Sequence, residues 1–114
     1  MLLSITIFGF TTDNEGKTLL NHEEIIVTTI DHSASDFFKK TSFNSKKGDI
    51  SFSTKTEVEE LIVLNGEEEL TYILPIKTQK IIIGKSLFDP GNYDLIFKVS
   101  NELTYQLELQ ILEK

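Results

Sequence analysis

The side-chain types of a hydrolytic triad fall within five residues of this 114-residue chain, at His32, Ser33, Ser35 and Asp36. A triad works when nucleophile, base and orienting carboxylate converge in space, usually from separate parts of a fold. Neighbours in one loop seldom converge, and neither a nucleophile elbow nor an oxyanion-hole turn lies nearby, so the stretch reads as a solvated turn. His22-Glu23-Glu24 and His32 hold the two histidines of the chain. They lack the i, i+4 spacing that sets two ligands on one face of a zinc-binding helix, and a transition-metal site wants three or four such ligands. Glu57, Glu59, Glu60, Glu67, Glu68 and Glu69 look like a calcium cluster until they are laid on a hairpin. A strand rises about 3.3 Å per residue, which puts the two glutamate groups about 20 Å apart. A charged, solvated edge that discourages strand addition accounts for them.

Phe37, Phe38, Lys39, Lys40 and Phe43 interleave aromatic and basic side chains, a combination that could hold a sugar, an acidic polymer or a partner protein. They belong to "HSASDFFKKTSFNSKKG", residues 32–48, where four lysines against Asp36 give +3 and leave −10 for the rest of a chain whose net charge is −7. Read as a loop on a rigid scaffold, with a short helical turn after Ser35, this is the candidate binding surface. The competing reading has the phenylalanines plugging the end of the core while the lysines stay wet. No catalytic residue, metal site or cofactor is expected.

The elements that would position these residues are strands. Short runs rich in Ile, Val, Phe and Tyr recur between Gly, Asn, Asp and Pro, and no long window carries an apolar stripe of helical period. Strands are expected at about 2–8, 24–30, 49–54, 58–64, 68–75, 79–83, 92–99 and 103–112. The fold class is all-β, an antiparallel β-sandwich of about seven to eight short strands. At 39% hydrophobic, the chain has side chains for one modest core. It has no Cys, so neither disulfide nor thiolate chemistry, and no Arg, so no guanidinium fork for phosphates. With −7 overall, nucleic acid is not an expected partner. No apolar run reaches the roughly 20 residues of a membrane span.

Parity fixes the last hairpin. Tyr93, Leu95, Phe97 and Val99 alternate with polar or outward residues, as do Leu103, Tyr105, Leu107, Leu109 and Ile111. Both apolar rows are odd-numbered, so the register must join odd to odd, with Val99 opposite Leu103 across Ser100-Asn101-Glu102. Asn65-Gly66 marks a second hairpin. A three-residue loop from Asn65 to Glu67 would pair Ile62 with Leu70 and Val58 with Leu74.

"MLLSITIFGF" reads either as a first strand or as the apolar part of a secretory signal that has lost its basic start, since no Lys precedes Lys17. The organisation is therefore residues 1–22 as a signal segment or first strand, then 23–114 as a single β-sandwich domain. The signal reading implies a secreted or periplasmic protein, and a folded strand over residues 1–10 a cytoplasmic one.

Asp89-Pro90-Gly91-Asn92 fits a type II turn, with Pro setting φ at the second position and Gly supplying positive φ at the third. Asp-x-Gly-x-Tyr-x-apolar, with Tyr93 opening the strand, resembles the tyrosine corner of immunoglobulin-like sandwiches, though the Cys pair and Trp of antibody domains are missing. Residues 50–112, with "VLNGEEELTY" and "KIIIGKSLFDPGNYDLIFKV" before a last alternating strand, are similar to small secreted immunoglobulin-like domains of Bacteroidetes. They are also similar to the C-terminal sorting domains of the type nine secretion system. The resemblance implies an immunoglobulin-like, non-catalytic module of the cell exterior or periplasm, acting by protein or glycan contact. Two other readings stand beside it: an assembly component associating through strand edges, and a small acidic cytoplasmic inhibitor or regulator.

Overall fold

The computed structural model describes residues 17–30 and 32–112. Seven antiparallel strands run as β1 (Thr18–Asn21), β2 (Ile25–Thr29), β3 (Phe38–Asn44), β4 (Asp49–Asn65), β5 (Leu70–Gly84), β6 (Gly91–Ser100) and β7 (Leu103–Ile111). One short helix, α1 (His32–Phe37), precedes β3, and a 3₁₀ turn, Lys85–Leu87, follows β5. The sheet order is β1-β2-β7-β6-β4-β3, with β5 paired to β4 along its other side. The expected first strand at 2–8 lies outside the described residues. The boundary drawn at residue 23 moves, because Thr18–Asn21 pairs with Ile26–Thr28 as part of the sheet.

The long β4–β5 hairpin converts one sheet into two layers. The first half of β4 pairs with β3 and its second half with β6, while β5 accompanies it throughout. Bulges between Ser53 and Glu60 bend the pair. At the bend the buried Thr54 hydroxyl donates to the Thr56 and Gln79 carbonyls at 2.6 and 3.3 Å, and Lys77 adopts φ 46°. The inserted residues also swap parity: Ile50 and Phe52 face inward before the bend, Val58 within it, and Leu61 and Val63 after it. What reads as four short strands, 49–54, 58–64, 68–75 and 79–83, is therefore two long bent ones.

Phe52 from one layer meets Phe97 from the other at 5.3 Å, and Phe38 reaches Phe97 at 4.8 Å, both edge-on. Burying each such ring contributes about 1.5–3 kcal/mol. The side of β1 away from β2 lies toward β3, where His22 sets its ring edge-on to Phe43 at 4.9 Å, so the folded sheet comes close to a closed barrel. Helix α1 covers one end, stacking Phe37 on Tyr105 at 4.1 Å and 8°.

The β6–β7 hairpin joins odd to odd as expected: Tyr93↔Leu109, Leu95↔Leu107 and Phe97↔Tyr105. Its end differs. The turn has two residues, Asn101 and Glu102, and Ser100 faces Leu103. A bulge at Val99 absorbs the odd residue, so a tight turn and an inward apolar row coexist. At the other hairpin the expected register fails. The loop is Gly66–Glu68, closed by Asn65 N–H to the Glu69 carbonyl at 2.9 Å, and a further shift beyond Leu64↔Leu70 gives Val63↔Tyr72 and Leu61↔Leu74. The Asn65 side chain drives this, its Oδ1 accepting from the N–H groups of Glu67 and Glu69 at 2.8 and 3.0 Å. The positive φ falls on Glu68, at 63°, not on Gly66. As a result Ile62 and Ile73 share the outer face, and Leu70 is 59% exposed.

The Asp89 segment also departs from a type II turn. The chain bends at Pro90 and Gly91 enters β6 with φ 148°, beyond the ~80° of a type II third position. The corner itself is present, with the Tyr93 hydroxyl donating to the Asp89 carbonyl at 2.8 Å.

Candidate interaction surface

Strand alternation decides which half of the aromatic-basic segment meets solvent. Phe37 and Phe38 are 4% and 5% exposed and Phe43 is half-buried, so the aromatic half of the expected surface is core. Lys39 and Lys40 are exposed on β3. The segment is helix and strand, not a loop, and the triad-like residues from His32 to Asp36 lie in α1. His22 accepts the Glu24 N–H on Nδ1 at 3.0 Å, a turn-closing role beside β1. Among the described residues no cluster of three or more His, Asp or Glu side chains is arranged to hold a metal ion.

What β3 exposes is joined by what β4 and β5 expose. Lys40 lies opposite Ser53, and Ser53 opposite Lys80; in the next row Ser42 lies opposite Ser51, and Ser51 opposite Ile82. All sit on the solvent face, alternating with the inward Ile50, Phe52, Ile81 and Ile83. Adjacent strands stand about 4.8 Å apart, so the backbones of Lys40 and Lys80 are about 10 Å apart across Ser53. Residues 38–55 and 77–85 hold eight lysines against Asp49, a net +7, while the rest of the chain sums to −14. Lys85 is engaged, its Nζ 3.3 Å from Glu24 Oε1.

The solvent face of the other layer is acidic. A shallow cavity of about 450 Å³ is lined by Glu68, Asp94, Glu108, Asn65, Asn92 and Gln110, with Ile26 in its wall. Asp94 lies directly opposite Glu108 across β6 and β7, an unfavourable like-charge pair. A hydrogen bond to Asp94, with the repulsion of its charge, raises the Glu68 carboxyl above its ordinary value.

Neither surface is contiguous in sequence. Lys80, Ser51 and Ser53 carry a legible signal, since they alternate with apolar residues, but only the hairpin bend places them beside Lys40. Asp94, Glu68 and Glu108 come together through a loop and two strands whose pairing depends on the register.

No family model, curated protein or solved structure matches this chain. No helix among the described residues is long and apolar enough to cross a membrane.

Proposed function

We propose that this chain is a non-catalytic β-module that acts by contact with an anionic protein or glycan, through the outer face of the β3–β4–β5 layer. Lys39, Lys40 and Lys80 supply the charge, and Ser42, Ser51 and Ser53 supply hydroxyls that donate or accept on a rigid strand surface. The observation that carries the reading is the segregation of charge, +7 over residues 38–55 and 77–85 within a chain of −7. Within a Debye length of about 8 Å at physiological salt, a partner meets the local lysines and not the distant carboxylates. The Tyr93 to Asp89 hydrogen bond supports kinship with immunoglobulin-like modules. The apolar residues 2–10 support an exported protein, tested by sequencing the N-terminus of the protein recovered from its source cells.

Binding to a panel of acidic and neutral glycans and to acidic polypeptides, at low and high salt, tests the contact surface. Salt-sensitive retention of acidic members is expected, lost in a Lys40→Glu, Lys80→Glu double variant. Equal retention by the parent and the double variant removes this face from consideration.

A further inference from the structure

We propose that the basic outer face of the β3–β4–β5 layer docks onto the acidic outer face of the β2–β7–β6 layer of a second copy of this chain, giving head-to-tail association. The inference rests on the reading that the basic face is the contact surface, and it names the partner.

One molecule displays both halves of the contact. One layer displays Lys40 and Lys80 in one row and Ile82, 57% exposed, in the next. The other displays Glu68, Asp94 and Glu108 around a cavity of about 450 Å³ with the half-buried Ile26 in its wall. The two faces lie on opposite sides of a shared core, so one molecule's pair cannot meet internally, whereas two molecules can meet in series. The acidic face is under internal repulsion, with Asp94 opposite Glu108 and Glu68 lining the same cavity. A lysine arriving from another copy relieves that repulsion where water and salt only screen it. Ile82 beside the lysines gives the contact an apolar element to set against Ile26.

Size allows it. The molecule extends 45 × 37 × 26 Å, and even its smallest face exceeds the about 800 Å² per partner of a standard stable interface. Because the two surfaces differ, the contact is heterologous and propagates as a ring or an open chain instead of stopping at a two-fold dimer.

Sedimentation velocity across a wide concentration range, at about 0.15 M and about 1 M salt, where the Debye length is about 8 and 3 Å, so that the lower salt still screens the overall −7 of each copy, tests the proposal. At low salt the mass is expected to climb above the 13.0 kDa monomer with concentration, and at high salt to return to it. Lys40→Glu, Lys80→Glu and, separately, Asp94→Lys, Glu108→Lys are each expected to be monomeric, and mixing the two to restore association. Thermal melts establish that each variant is folded; if the acidic-face pair fails to fold, Glu108→Lys alone, on an exposed position, replaces it. A strict 13.0 kDa monomer at every concentration in low salt overturns self-docking. If that monomer still retains acidic glycans through Lys40 and Lys80, the contact reading survives alone; if it retains none, both fail.

Discussion

The Tyr93 hydroxyl donates to the Asp89 carbonyl oxygen at 2.8 Å, and the Tyr72 hydroxyl donates to the Leu87 carbonyl at the same distance. The two acceptors flank Phe88, whose ring lies 4.9 Å from Tyr93 and 6.3 Å from Tyr72. Phenols from β5 and β6 thus hold both carbonyls beside a ring that is 8% exposed, pinning the β5–β6 connection to the end of the core.

Tyr93→Phe is expected to destabilise by about 1 kcal/mol, since the acceptor left behind stays partly reachable by water. Tyr72→Phe should do the same. Phe88→Ala, which empties the place both phenols enclose, is expected to cost about 3 kcal/mol. Urea unfolding of the three variants checks the order; a Tyr93→Phe midpoint equal to the parent's removes the corner as a fold determinant.

Glu68 binds its proton more tightly in the folded protein than its ordinary 4.5, because it bonds to and faces Asp94. Folding is therefore favoured at low pH by this group, and stability falls as pH rises from 4.5 through the raised folded value. Glu68→Gln should be more stable than the parent at neutral pH and indistinguishable from it near pH 4, by the same linkage. Unfolding midpoints at both pH values test this, and a constant difference between parent and variant would sink the carboxyl-pair explanation.

The Thr41 Oγ1 atom is buried with no hydrogen-bond partner among the described residues. It sits on β3 opposite Phe52, facing the core. Thr41→Val keeps the shape and removes the stranded hydroxyl, so a gain of about 1 kcal/mol is expected in calorimetry. A loss would mean that the hydroxyl has a partner in solution.

Phe37→Ala and Lys40→Ala separate packing from contact. Phe37 stacks on Tyr105 and is buried, so its truncation should lower stability by about 3 kcal/mol. Lys40 is exposed, and its truncation should move stability by less than about 0.5 kcal/mol while weakening retention on acidic ligands. Loss of retention in Phe37→Ala without loss of stability would return the aromatic residues to the binding surface.

Local pattern carried much of this fold. The all-β class, the odd-to-odd pairing of β6 with β7 and the Tyr93 corner follow from alternation and turn chemistry, which act over a few residues. The same alternation failed where a bulge interrupts it. Phe38 faces inward, and after the extra residue at Lys39 so do Thr41 and Phe43, which made a strand look like a loop. The shifted register of the Asn65 hairpin likewise put Leu61 and Val63 on the inner side, opposite Leu74 and Tyr72, where Ile62 was expected.

What the chain could not declare by itself is which charges share a face. Lys40 and Lys80 are neighbours across Ser53, and Asp94 and Glu108 lie across a ladder, only because β4 and β5 bend together and register sets the rows. Alternation is a one-dimensional signal that gives each residue an inside or an outside. The assignment of outsides to layers, and so the meeting of Lys40 with Lys80 and of Asp94 with Glu108, is made by long-range pairing.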